Sequence, residues 1–98
     1  MSVLVVARGK DLIGRIVPLI NAGGVTARGT TEEDDAVSWI ETGDISTLII
    51  GGGVEPASRQ RLRASANLKG VRVIDGRAHG KDPRIFVREE LLPELTRR

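Results

Sequence analysis

The 98-residue chain is long enough for one ordinary domain, and its 40% apolar residues suffice for a single core. It has no cysteine and one histidine, which excludes disulfides, thiolate metal sites, cysteine nucleophiles and histidine-rich metal sites. Residues 1–50 carry four Lys or Arg against seven Asp or Glu, whereas residues 51–98 carry eleven against six. This asymmetry suits an acidic partner or self-association, but it is too mild, with 2% aromatic residues, to indicate nucleic-acid binding.

No apolar run approaches the ~20 residues that a membrane-spanning helix needs. Met1 and Ser2 lead directly into an apolar run, with no basic segment before it as a signal peptide would have. We therefore expect a cytoplasmic protein that makes no membrane contact.

Short, β-branched apolar runs alternate with apolar residues at helical spacing, which predicts alternating strands and helices. Asp11 is a good N-cap for the first helix, Pro18 should kink it, and Thr31-Glu32-Glu33-Asp34 resembles a capping box for the second. The predicted strands are residues 2–7, 25–28, 45–50 and 71–74, and the predicted helices lie between residues 11 and 24, between 31 and 44, and over 56–68.

The third helix is strongly basic, with Arg59, Arg61 and Arg63 on its solvated face and Leu62, Ala66 and Leu68 expected to point inward. From residue 75 the pattern changes to a polar, glycine-rich connection. Residues 84–87 read as a brief strand and residues 88–95 as a last helix. The apolar patch that they carry must pack on its own sheet or on a second protomer.

This alternation implies right-handed parallel crossovers within one α/β domain that spans residues 1–98. We expect three layers around a mostly parallel four-stranded sheet, either a Rossmann-like half or a flavodoxin-like sheet of order 2-1-3-4, with residues 84–87 as a candidate short fifth strand. Both alternatives bring the carboxyl ends of strands one and three together at the topological switch point.

Over residues 2–75 this pattern resembles a response-regulator receiver domain: a Val-rich first strand, a helix ending in Ala22-Gly23-Gly24, an acidic second helix, and Pro56 shortly after the third strand. Receivers place an acidic pair after the first strand to hold a divalent metal and an aspartate after the third strand to accept phosphate. Here those places hold Ala7-Arg8-Gly9 and Gly51-Gly52. The resemblance therefore implies a degenerate, truncated pseudo-receiver without phosphotransfer.

Two neighbouring loops form a candidate anion site. Gly51-Gly52-Gly53 can present backbone N–H groups at the start of the third helix, although three glycines also suit a tight turn with positive φ. Arg8, Gly9 and Lys10 follow strand one and supply two cations, which are otherwise solvated loop charges. Neither loop matches a Walker A or dinucleotide-binding motif.

Arg77, His79 and Lys81 follow strand four and are possible contributors to the same edge of the sheet. His79 has the unperturbed pKa of an acid–base group, but the sequence offers no accompanying nucleophile, so a solvated loop is the default reading. We name no catalytic residue, no metal ligand and no cofactor.

Two functions remain open. The first is a non-catalytic, pseudo-receiver-like regulatory module that works through protein–protein contacts, as a homodimer built on its sheet edges or with an acidic protein partner. The second is a small-molecule binding domain for a phosphate-bearing or other anionic ligand at the carboxyl ends of strands one and three. An enzyme ranks third.

Overall fold

A parallel four-stranded sheet forms the middle layer of the protein, with the strand order β2-β1-β3-β4. The computed structural model describes residues 2–76 and 82–96. Its elements are β1 (Ser2–Val6), α1 (Lys10–Ala22), β2 (Ala27–Thr30), α2 (Glu33–Glu41), β3 (Ile45–Gly51), α3 (Pro56–Leu68), β4 (Arg72–Gly76), α4 (Pro83–Phe86), a π-helical turn (Val87–Leu91) and α5 (Leu92–Thr96). The expected α/β class and the order 2-1-3-4 are confirmed.

The central strands β1 and β3 are buried on both faces, because their side chains alternate between two hydrophobic cores. On one face, Leu4 and Leu48 pack with apolar residues of α2 and α3. On the other face, Val3 and Ile49 pack with α1 and the C-terminal helical residues. The protein is therefore a three-layer fold, and the carboxyl ends of β1 and β3 lie side by side at one edge.

The C-terminal residues cover their own sheet, where Phe86, Val87 and Leu91 are buried in the second core. The expected short strand at residues 84–87, and with it a fifth strand, is wrong: this run is helical. Asp82 explains why, since its Oδ1 accepts the Arg84 N–H (2.8 Å) and its carbonyl oxygen accepts the Phe86 N–H (2.9 Å). An aspartate followed by proline at the first helical position is a helix start.

Strand β2 lies two residues later than expected because the chain is still held to α1 at residue 25. The Val25 N–H donates to the Ile20 carbonyl (3.3 Å), and Gly24 takes a positive φ of 89°. The Asn21 amide then bonds both backbone groups of Ala27, accepting its N–H at 2.8 Å and donating to its carbonyl at 3.4 Å. Asn21 thus occupies part of the outer edge of β2.

Three local expectations are also corrected. Gly9, not Asp11, is the N-cap of α1, which continues through Pro18. The capping box is absent: Glu32 is the N-cap of α2 without a side-chain capping bond, and its N–H donates to Thr30 Oγ1 (3.0 Å). Leu68 is 87% exposed rather than inward.

In the described part of the chain, no helix is long and apolar enough to cross a membrane.

Candidate functional site

The loop after β1 meets the loop after β3 through an ion pair between Arg8 and Glu55. The guanidinium donates from Nε to Oε1 (2.7 Å) and from Nη2 to Oε2 (2.8 Å), which is the strong two-point geometry of arginine and carboxylate. Arg8 also donates to the Thr31 carbonyl (3.1 Å) and to Ser58 Oγ (3.0 Å). The cation expected to hold an external anion is engaged by groups of the chain itself.

Glu55 places a negative charge at the N-terminus of α3, where it is the N-cap residue. Helix N-termini favour anions, so this carboxylate stands where an anionic ligand would benefit from the helix dipole. The hydrogen bonds from Arg8 are the main cause that holds the pKa of Glu55 below its usual range, and the same pairing raises the pKa of Arg8. The switch point therefore carries an anion and a cation that neutralise each other.

A second group of charges ties α2 to α3 beside this pair. Arg61 Nη1 bonds the Glu33 carboxylate and Asp34 Oδ1, the latter at 2.7 Å. The Ser58 hydroxyl is the first cause, and Arg61 the second, that lowers the pKa of Glu33. Ser58 Oγ is also 3.5 Å from Glu55 Oε2, so Ser58 lies between the two charge groups. Arg61 thus neutralises part of the negative charge in the first turn of α2, which also contains Asp35.

The triple glycine forms a turn in which the Val54 N–H donates to the Gly51 carbonyl (3.2 Å). The positive-φ glycines are elsewhere, so this turn does not use the left-handed conformation. A Cβ on Gly51 would lie 3.1 Å from Ala7 Cβ and 3.3 Å from the Val6 carbonyl oxygen, whereas a Cβ on Gly53 would meet no atom within 4 Å. Gly51 is required for the close approach of β1 and β3, and Gly53 is not.

Arg59 of α3 holds this turn by hydrogen bonds, and the sequence analysis did not predict it as a site residue. Its Nη2 donates to the Gly51 carbonyl (2.6 Å) and its Nε to the Val54 carbonyl (3.1 Å), and its side chain is only 11% exposed. Its buried Nη1 makes no hydrogen bond with a described residue and lies 3.6 Å from Asp75 Oδ1. Helical side chains lean toward the N-terminus, and that lean signals that Arg59 reaches back to the turn.

The other residues predicted for the anion site do not all lie beside the Arg8–Glu55 pair. Gly9 is the N-cap of α1, and exposed Lys10 borders a groove of about 250 Å³ with Ile13, Gly29 and Thr30 at the end of β2. Gly52 and Gly53 are exposed residues just after β3. The structure thus brings Arg8 to the glycine loop but directs it to Glu55, and Lys10 lies beside β2.

Arg77, His79 and Lys81 lie outside the described residues. Within residues 2–76 and 82–96, no group of three or more His, Asp or Glu side chains is arranged to hold a metal ion. Within those residues the site consists of ion pairs around an exposed glycine turn, and such groups can bind charged partners.

Comparison with known proteins gives a fold neighbour and no family. No family model matches the chain, and no curated protein matches it. A de novo designed Rossmann 2x2 fold protein, solved by solution NMR, is similar in structure with a TM-score of 0.65 and 15% sequence identity. The match covers 96% of this chain and 84% of that protein, so the Rossmann-like arrangement is shared over nearly the whole chain.

Proposed function

We propose that this protein is a non-catalytic, cytoplasmic interaction module, related in pattern to a pseudo-receiver, that works through protein–protein contacts. The observation that carries the proposal is the Arg8–Glu55 pair at the switch point. In parallel α/β folds this crevice is the usual ligand site. Here the chain sets its own two-point ion pair across the crevice, with the side chains of Arg8 and Glu55 36% and 57% exposed. The proposal therefore assigns function to the outer surfaces.

Self-association is the first form of contact to test, and β4 is the edge that favours it. Asn21 satisfies both backbone groups of Ala27 on the outer edge of β2. At the other end of the sheet, β4 has no strand on its outer side within the described residues. Two β4 strands that pair about a two-fold axis would give one continuous eight-stranded sheet in a homodimer.

Sedimentation velocity over a concentration series tests this form of the proposal. We expect the weight-average mass to rise from that of one 10.5 kDa chain toward twice that mass as the concentration increases. A single monomeric species at every concentration would contradict the homodimer.

A second function, binding of a phosphate-bearing or other anionic ligand, is supported by the exposed residues Gly52 and Gly53 shortly before α3. It ranks second because the Glu55 carboxylate stands at the same helix N-terminus and repels anions. A thermal-shift screen with nucleotides and sugar phosphates separates the two functions. A bound ligand at ~100 times its Kd adds about 2.7 kcal/mol of stability, and Gly52→Val should abolish that gain.

A further inference from the structure

A groove runs between α1 and the C-terminal helical residues, on the side of the sheet opposite to α2 and α3. It consists of two adjoining depressions of about 270 Å³ and 310 Å³, and both are lined by Leu19 and Arg84. The two depressions therefore adjoin each other, with α1 on one side and the C-terminal helical residues on the other. We call it the α1–α4 groove, and its lining residues used below are Arg15, Leu19, Arg84, Val87, Arg88 and Leu92.

The groove combines an apolar floor with a cationic rim. Val87 is buried, and Leu19 and Leu92 are half-buried. Arg15, Arg84 and Arg88 are exposed, and Asp82 is the acidic residue among the described lining groups. Among the described lining residues there are thus three cations and one anion.

The arginines at the rim of the groove have few or weak ion pairs with described residues. Arg15 and Arg84 form no ion pair with a described residue, and Arg88 lies 3.8 Å from Glu89 with both side chains more than half exposed. Such an exposed pair contributes little and is easily exchanged for another partner. Asp82 Oδ1 already accepts the backbone N–H of Arg84. The three guanidinium groups are therefore available to carboxylates from outside.

The spacing of the lining residues matches a helix as the occupant. Arg15 and Leu19 stand four residues apart on one face of α1, and Arg84, Arg88 and Leu92 line the facing wall. Each wall thus presents both cationic and apolar side chains. An amphipathic helix that lies lengthwise would place its apolar face on the floor and its acidic flanks against the rim.

We propose that the α1–α4 groove binds an acidic amphipathic helix of a partner protein. This inference rests on the proposed interaction function, and it names the surface that makes the contact and the chemistry of the partner. A flat anionic bilayer would reach the arginine rim but not the recessed floor. The acidic first turn of α2 in a second copy is a poorer occupant, because its Glu33 side chain is only 21% exposed and is bonded to Arg61.

The test uses a fluorescein-labelled peptide of about 18 residues, roughly five helical turns, with Leu at helical spacing on one face and Glu on the other. Fluorescence anisotropy should report saturable binding to the wild-type protein. Arg84→Glu with Arg88→Glu should weaken it at least about tenfold. The matched double variant Arg63→Glu with Lys69→Glu, at exposed positions of and just after α3, should leave it unchanged. A peptide with Lys in place of Glu should not bind.

Three results would overturn the groove proposal: no saturable binding of the acidic peptide, equal weakening by both double variants, or binding only to vesicles that contain phosphatidylserine. Circular dichroism of each variant confirms that the fold is kept. Sedimentation of the same samples separates this failure from that of the homodimer. A dimer without peptide binding refutes the groove alone, and peptide binding by a monomer refutes the dimer alone.

Discussion

Arg8 and Glu55, 47 positions apart in the chain, form a two-point ion pair across the carboxyl ends of β1 and β3, with both N–O distances below 3 Å. The pair places opposite charges where a parallel α/β sheet usually receives a ligand. It also joins the first loop of the protein to the N-terminus of α3. The ion pair therefore lies where a ligand would otherwise bind.

The stability of the protein should depend on pH through Glu55 and Glu33, whose folded-state pKa values are lowered. A lowered pKa stabilises the fold above the unfolded value of ~4.3, and that stabilisation is lost as the pH falls through the folded value. We expect the stability difference between the wild type and Glu55→Gln to be largest at neutral pH and to shrink below ~4.3. Urea unfolding of both proteins across this range measures it, and parallel pH profiles would contradict the expectation.

Gly51 and Gly53 should respond oppositely to alanine. Gly51→Ala introduces a Cβ about 3.1 Å from Ala7 Cβ and should cost about 1–3 kcal/mol of unfolding free energy. Gly53→Ala enters open space without a positive φ and should be neutral or stabilise by up to about 1 kcal/mol. Equal losses in chemical denaturation would show that the loop needs glycine at both positions for a reason other than packing.

Arg59 should be the arginine of α3 that matters most for stability. Arg59→Met keeps the length of the side chain but removes the donors to the Gly51 and Val54 carbonyls, and should cost about 1.5–3 kcal/mol. The control Arg63→Met changes an exposed residue and should stay within about 0.5 kcal/mol. Chemical denaturation compares the two. If both variants match the wild type, the turn does not depend on Arg59.

The two leucines of α3 should differ sharply. Leu62 is fully buried, so Leu62→Ala should cost about 2–5 kcal/mol through lost burial and a cavity. Leu68 is 87% exposed, and Leu68→Ala should change stability by less than about 0.5 kcal/mol. Thermal unfolding of both variants tests this. A large loss at Leu68 in samples that sediment as dimers would instead place Leu68 in the interface between protomers.

The sequence predicted the layers and the strand order because both depend on hydrophobic patterns that are continuous over whole elements. Local sequence is enough to predict β1 and β3 from their buried apolar runs, and the start of α3 from Pro56. Tertiary packing favours the same elements. Residues 84–87 were misread because a short apolar run suits a strand or a helix equally well. The Asp82-Pro83 start signal should have decided in favour of the helix.

The sequence predicted which two loops meet, but not how their side chains pair. The strand order places the ends of β1 and β3 side by side, and Gly51 lies next to Ala7. The partner of Arg8 could not be read from the sequence, because Glu55 and Ser58 belong to a distant helix whose rotation is set by packing. Arg59 was assigned to a solvated face for the same reason, although its side chain turns back toward Gly51.

If the Arg8–Glu55 pair takes the place of a ligand at the crevice, an external anion should not displace Glu55. A ¹⁵N–¹H NMR titration of the wild-type protein with inorganic pyrophosphate measures this. We expect the Arg8 Nε–H signal and the Gly52 and Gly53 amide signals to stay in place as pyrophosphate increases. Saturable shifts of these three signals together would show that an external anion displaces Glu55, and would contradict this expectation.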